Sequence, residues 1–550
     1  MSAGLILIIS AGLFTAGYVF YGRFLLNVLG VDKNRKTPAH LLNDGLDFVP
    51  ARAPVLMGHH FASIAGAAPI IGPVTAVVFG WGPVWLWIVL GGILIGGMHD
   101  FSALILSVRN SGKSVGEIIE KYVGLPGKLV FMIFTWATLI LVVAVFDIVV
   151  ARTFEAKPEV ASASVFFIFV SVIFGYGLRK KYFGLFTGSG GGIVLLIISM
   201  AAGNFFPLRI SSETWIYILL AYVFAASILP VWLLLQPRDY LNSFLLYATL
   251  IMGAAGIIFY NPELKSPAFT GLKAEGLGNI FPILFVTVAC GAVSGFHSLV
   301  SSGTTSKQLN EKKDALPVGY GSMLIESLLA VIALITAAYL GKEEFAAKFA
   351  SSGAVNPVAV FSSGIGEFAT ALYIPRESGI MFASLAISAF ALTSLDTAGR
   401  LGRLVFSEMS VHAPGKAGKI LSDRYFATLV TIAGGGILAV SGRWKSIWPL
   451  FGSANQLLAS LALLALTVYM VRNRRPFLFA AIPMLFMFAV TLTSLFQLAS
   501  RELISENGSL LLGTLAVILF CTAIFLTVYS AMQVLREKKR EGNIFSGTDG

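Results

Sequence analysis

The sequence predicts an all-α polytopic membrane protein. Three observations lead there. Of 550 residues, 56% are hydrophobic and only 12% charged, where a soluble chain carries roughly 25% charged residues. Mean hydropathy is +0.83. Apolar runs of spanning length, about 20 residues, recur at about 15 places along the chain. So few charges cannot cover an aqueous surface, and the lipid bilayer is the main solvent.

In chain order the runs are 4–22, 54–79, 83–107, 126–150, 160–178, 186–203, 214–234, 241–260, 279–303, 315–340, 379–395, 425–440, 447–470, 477–498 and 509–534. No basic residue precedes the first run, so residues 1–29 read as a first spanning helix and not as a cleavable leader. Residues 30–53 read as a cytoplasmic loop, 54–534 as the membrane core with accessory helices, and 535–550 as a cytoplasmic tail. The tail's last ten residues, EGNIFSGTDG, read as disordered. The stretch 341–378 reads as a long outside loop. Its weak apolar segment NPVAVFSSGIG leaves room for a short re-entrant or surface helix.

The loop charges set the orientation. With the N-terminus outside, the inside positions hold Lys33, Arg35, Lys36, Arg52, Arg109, Lys113, Arg179, Lys180, Lys181, Arg238, Lys307, Lys312, Lys313, Arg400 and Arg403. They also hold Arg472, Arg474, Arg475 and the basic tail. These and their neighbours are the larger share of the 39 Lys and Arg, as the positive-inside rule requires. The C-terminus is therefore expected in the cytoplasm. The net charge of +11 does not point to nucleic acid, because no separate basic domain exists. Cys290 and Cys521 both lie in apolar runs, so no disulfide framework is expected.

Two runs are weak as straight helices. The stretch 56–73, LMGHHFASIAGAAPIIGP, contains three glycines, two prolines and two histidines. A broken helix at membrane depth survives only where it is buried in protein or lines a wet cavity, and transporters put such breaks at the substrate. The stretch 289–306, ACGAVSGFHSLVSSGTTS, shares a pattern with it. Gly58, His60 and Gly66 match Gly295, His297 and Gly303 as G-x-H-x5-G. The two runs point in opposite directions, as inverted repeats require. The plain alternative is close packing of small residues. The expected substrate site is Gly58, His59, His60, Ser63, Gly66, Ser294 and His297. Glycine backbones would allow close approach of a ligand, and the imidazoles and hydroxyls would donate hydrogen bonds.

Ionisable residues inside a membrane are costly and usually functional. His99 and Asp100 in GGMHDF, and Glu326 in MLIESLL, are expected to couple transport to protons. The alternative is an ion pair that fixes helix packing. Asp147 lies near the end of its helix. Asp396 precedes Arg400 by one helical turn, so a local pair is expected there. His59, His60, His99, Asp100 and His297 also offer ligands to a metal. Adjacent histidines point about 100° apart on a helix, however, so His59 and His60 would share an ion only after unwinding. No cofactor is expected, and the coupling ion is expected to be a proton.

The motifs MGHHFASIAGAAPIIGP (57–73), GGMHDF (96–101), LPVWLLLQPRDYLNSF (229–244), SLDTAGRLGR (394–403) and FGSANQLLA (451–459) run in order along most of the chain. In these the sequence resembles the carbon-starvation protein A family, the CstA-type transporters. The resemblance implies a cytoplasmic-membrane importer induced by nutrient starvation. Members are described as peptide transporters, and relatives as proton-coupled pyruvate carriers. It also implies a LeuT-like core of five-helix inverted repeats. The first core helix would then be 54–79, the eighth 279–303, and the sixth 214–234, broken near Ser227, Ile228, Leu229 and Pro230. The G-x-H pattern instead suggests seven-helix units, 54–260 and 279–534.

The expected function is therefore secondary active, proton-coupled uptake of a peptide or small carboxylate. An ion channel and a metal-binding membrane enzyme are the alternatives. A channel would show a repeated filter or a ring of charge, and an enzyme a clustered nucleophile or metal box. Neither pattern is visible, and the chain is not expected to be an enzyme. The oligomeric state is not legible.

Overall fold

The computed structural model describes residues 2–31, 36–45, 47–230, 233–274, 277–341, 357–411, 415–505 and 508–546. The chain is almost entirely helical. The first span, α1 (Ala3–Leu29), is followed by a bent pair, α2 (Ala53–Ala65) and α3 (Ala68–Phe79), which meet at 41°. Then come α4 (Trp81–Arg109), a short α5 (Val115–Val123), α6 (Leu125–Ala156), α7 (Pro158–Arg179) and α8 (Leu185–Phe205). α9 (Ser212–Ile228) and α10 (Leu235–Tyr260) complete the first half.

The second half opens with another interrupted segment, α11 (Ile280–Thr287) and α12 (Gly295–Val300), the latter running through a π turn, Ser301–Thr305. It continues with α13 (Lys312–Tyr339), α14 (Pro357–Leu372), α15 (Arg376–Ser410), α16 (Arg424–Val440), α17 (Trp444–Arg472), α18 (Leu478–Ile504) and α19 (Leu510–Ser546). A two-residue hairpin pairs Lys273 and Ala274 with Asn279 and Gly278.

Among the described residues, 11 helices are long and apolar enough to cross a membrane, or 12 with the bent pair. The count of about 15 is not confirmed by this measure. Ser212–Ile228, Pro357–Leu372 and Arg424–Val440 are apolar but shorter. The stretch expected as an outside loop holds α14, whose Val360, Phe361, Ile365 and Phe368 are fully buried. It is thus a packed core element and not a surface helix; residues 342–356 lie outside the described ones. The tail read as disordered continues α19 to Ser546, and 547–550 lie outside the described residues.

Burial sorts the helices into two shells. The apolar windows of α13, α4 and α17 are 89%, 83% and 83% buried, whereas those of α8 and α19 are 33% buried. Phe186, Ile197 and Leu510 point outward from the peripheral helices. Lipid tails are as apolar as leucine, so such exposure costs nothing in a bilayer.

Each break has a local cause. At the first, Gly66 takes φ +31°, a region open to glycine. Pro69 then starts α3, where its missing N–H is unneeded. At the second, the chain unwinds over 288–294 between α11 and α12. The two broken segments touch: a Cβ on Gly72 would lie 2.5 Å from the Thr287 carbonyl. The break expected near Ser227–Pro230 is instead a helix end. α9 stops at Ile228, and Leu229 leaves the helix before Pro230, because proline disfavours helical backbone in the residue before it. The Leu229 carbonyl accepts from Arg400 at 3.3 Å.

Candidate functional site

The adjacent histidines of α2 aim at different partners, as their angular separation on a helix requires. The His59 ring lies 3.2 Å from Asp239 of α10 through Nδ1. The His60 Nδ1 lies 2.8 Å from Thr305 Oγ1, in the π turn that follows α12. Both rings are buried, and neither Nε2 has a hydrogen-bond partner among the described residues. His60 thus ties the first broken segment to the second.

Asp100 on α4 is the centre of a second polar chain. Its Oδ1 is 2.8 Å from His99 Nδ1 and its Oδ2 is 2.8 Å from His297 Nδ1. The His297 Nε2 lies 3.4 Å from Glu326 Oε2 on α13. All four side chains are buried. Three elements that are far apart in sequence therefore build one chain, His99–Asp100–His297–Glu326. No Lys or Arg pairs with either carboxylate among the described residues. The residues expected to couple and one histidine expected at the substrate site thus form a single constellation. π turns lie beside its members: Gly92–Gly96 precedes His99, Leu316–Gly321 precedes Glu326, and Ser301–Thr305 follows His297. Such turns are rare and cluster at functional sites.

The rest of the expected site is placed as follows. Ser63 is buried and its hydroxyl has no hydrogen-bond partner among the described residues. Ser294 accepts from the Asn455 side-chain amide at 3.0 Å. The two glycines do not present open backbone. A Cβ on Gly58 would meet Ser243 Oγ of α10 at 2.9 Å, and one on Gly66 would meet Ser394 Oγ of α15 at 2.7 Å. Neighbouring helices occupy the approach expected for a ligand, so both glycines serve packing in this conformation. Gly66 also serves the backbone turn.

Two further expectations are corrected. Asp396 does not pair with Arg400 but with Arg238 of α10, which also contacts Asp239 at 3.4 Å and Tyr222 at 2.5 Å. Arg400 instead lies 3.6 Å from Asp47. Arg238, counted among the inside loop charges, is 1% exposed within a helix and leaves that census. Asp147 is buried, with no hydrogen-bond partner for either oxygen among the described residues.

Residues that the sequence reading did not single out hold the second break. Asn455 of α17 accepts from the Phe296 backbone N–H at 2.8 Å, a buried donor in the first turn of α12 that has no partner within the helix. Gln456 donates to the Phe285 carbonyl at 2.7 Å, at the end of α11. One dipeptide thus satisfies both ends of the unwound stretch. The available signal was its place in FGSANQLLA, a motif quoted for resemblance alone. Arg238 and Asp239 had the same signal in LPVWLLLQPRDYLNSF. Among the described residues, no group of three or more His, Cys, Asp or Glu is arranged to hold a metal ion.

Comparison with known proteins bears on this arrangement. The profile of the family described as "Carbon starvation protein CstA" matches residues 2–356 and 344–494. The peptide transporter CstA of Campylobacter jejuni is 34% identical over 541 residues, covering 86% of this chain and 76% of its own. The pyruvate/proton symporter BtsT of Escherichia coli is 32% identical over 570 residues, covering 86% and 78%. The peptide transporter CstA of Bacillus subtilis is 32% identical, covering 89% of each chain. Among solved structures, a mutant manganese transporter of Eremococcus coleocola matches with a TM-score of 0.57, covering 90% of this chain and 99% of its own. At 12% identity that likeness shows the fold alone, the LeuT-like inverted-repeat transporter architecture.

Proposed function

Because this chain belongs to the carbon starvation protein CstA family, we propose that it takes up peptides or small carboxylates such as pyruvate by proton symport. Its membrane is the cytoplasmic one, with the N-terminus outside and the C-terminus inside, and its use is under nutrient starvation. The relatives are transporters of peptides and of pyruvate with protons. The positive-inside bias supports the orientation.

One observation carries the reading: the buried chain His99–Asp100–His297–Glu326, which spans three elements at the second helix break. A proton on this chain has carboxylates and imidazoles to occupy and no fixed cation to expel it. His297 starts a half-helix, so a substrate's arrival at the break and a proton's arrival at Asp100 act on the same side chain. His59, His60, Ser63 and Ser294 are the neighbouring polar groups for the solute. Gly58 and Gly66 hold the helices close around them.

The experiment is uptake of labelled pyruvate and trialanine into proteoliposomes under an imposed inward proton gradient. The unmodified protein should accumulate at least one of them. Asp100→Asn should still bind and exchange solute but fail to concentrate it. Accumulation by the Asn variant that still follows the pH gradient would remove Asp100 from coupling.

A further inference from the structure

A cavity of about 500 Å³ lies between α5, α6, the π turn after α12, and the C-terminal part of α15. The π turn is its shared wall with the histidine chain. Ser302 and Gly303 face the cavity, while Thr305 of the same turn bonds His60. The lining is dipolar. Lys307 brings an ammonium, and Glu117 and Glu408 bring carboxylates. Glu408 also pairs with Lys128 at 3.0 Å, and Lys128 with Glu120 at 2.8 Å. Thr135, 1% exposed, lines the cavity with a hydroxyl that has no hydrogen-bond partner among the described residues. Phe131 and Leu401 add apolar wall.

Size and charge discriminate between solutes. The volume falls in the range of sites that enclose a drug-sized molecule, roughly 300–1,000 Å³, far more than a three-carbon acid fills. A lone carboxylate gains from Lys307 and leaves the acidic wall, Glu117 on the Ser114 N–H and Glu408 on Lys128, without a further cation. A zwitterion is matched at both ends, and the hydroxyls can serve its internal amides. Resting on the uptake reading above, we propose that this cavity holds a short peptide, its C-terminal carboxylate on Lys307 and its N-terminal ammonium at Glu117 and Glu408. The peptide then stands one helical turn away from the His60–Thr305 contact that joins the two broken segments.

The test is equilibrium binding of labelled trialanine to the purified full-length protein, beside its N-acetylated form, its C-amidated form and pyruvate. Each capped peptide should bind the unmodified protein about tenfold more weakly than trialanine, the scale of one charge-assisted hydrogen bond. Lys307→Gln should weaken trialanine by a similar factor and the amidated form no further. Glu408→Gln should do the same for trialanine and spare the acetylated form; Lys128 keeps Glu120 as partner in that variant. Pyruvate should bind both variants unchanged. The capped peptides need no mutation, so they decide the question even where a variant fails to fold. Capped forms that bind as tightly as trialanine overturn the site, and so do variants that lose pyruvate and trialanine equally. Unchanged trialanine binding in both variants, with gradient-driven uptake intact, sinks this site and leaves the transport reading standing. A protein that takes up neither solute sinks both.

Discussion

His59 and His60 are neighbours on α2, yet each belongs to a different buried cluster. His59 joins Asp239, Arg238, Asp396 and Tyr222, a set built around a guanidinium. Thr393 and Asn242 extend it with neutral hydrogen bonds. His60 meets Thr305, beside the His99–Asp100–His297–Glu326 chain, whose only positive partners among the described residues are imidazoles. In the first cluster a guanidinium stands against the carboxylates, and Arg238, Asp239 and Asp396 sit on the continuous helices α10 and α15. In the second, charge depends on where protons sit, and His297 stands at an unwound stretch. The difference separates a charge set built on a permanent cation from one built on carboxylates and imidazoles alone. The same cost of burying charge underlies both.

The largest expected effect comes from breaking the fixed set. Arg238→Met leaves Asp396 and Asp239 buried without their cation, at a cost of about 3–5 kcal/mol. Thermal melting of the purified protein should fall steeply, and expression with it. The double variant Arg238→Met/Asp396→Leu should regain much of the loss, since no unpaired Asp396 remains. If the single variant melts like the parent, the two clusters do not differ in the way argued.

A middle effect is expected at the clamp. Asn455→Ala strands the buried Phe296 N–H and leaves the Ser294 hydroxyl only Cys290 as partner, worth about 1–3 kcal/mol. Its consequence should fall on the histidine chain, because α12 places His297. Uptake should drop more than stability does. A variant that loses stability while its remaining folded fraction transports at the parental rate would show that the clamp serves folding alone.

The smallest effect on stability sharpens the contrast most. Glu326→Gln keeps the shape of the side chain and should change stability by about 1 kcal/mol or less, the scale of one net hydrogen bond. It should nevertheless stop accumulation driven by a pH gradient. A melting loss as large as that of Arg238→Met would place Glu326 among the locking charges.

Much of the architecture was legible along the chain. Sparse charge and repeated apolar runs determine the membrane class, because no other solvent accepts that composition. The weak points of two spans were readable from glycine and proline at 56–73 and from glycine at 289–306, since helix stability is a local property of a few residues. The depth of Asp100, Glu326 and the histidines followed from their positions within apolar runs. What the sequence could not determine was who meets whom. Asp396 has Arg400 one turn away and still pairs with Arg238, which arrives from another helix. Asp100 and His297 stand 197 residues apart and share a hydrogen bond. Asn455 and Gln456 satisfy backbone groups of a segment well over a hundred residues earlier. Gly58 and Gly66 face packed helices, where the sequence suggested open backbone. Such contacts depend on how the helices are ordered around the core, and local composition carries no record of that order. The tertiary structure alone brought His99, Asp100 and Glu326 into one chain with His297.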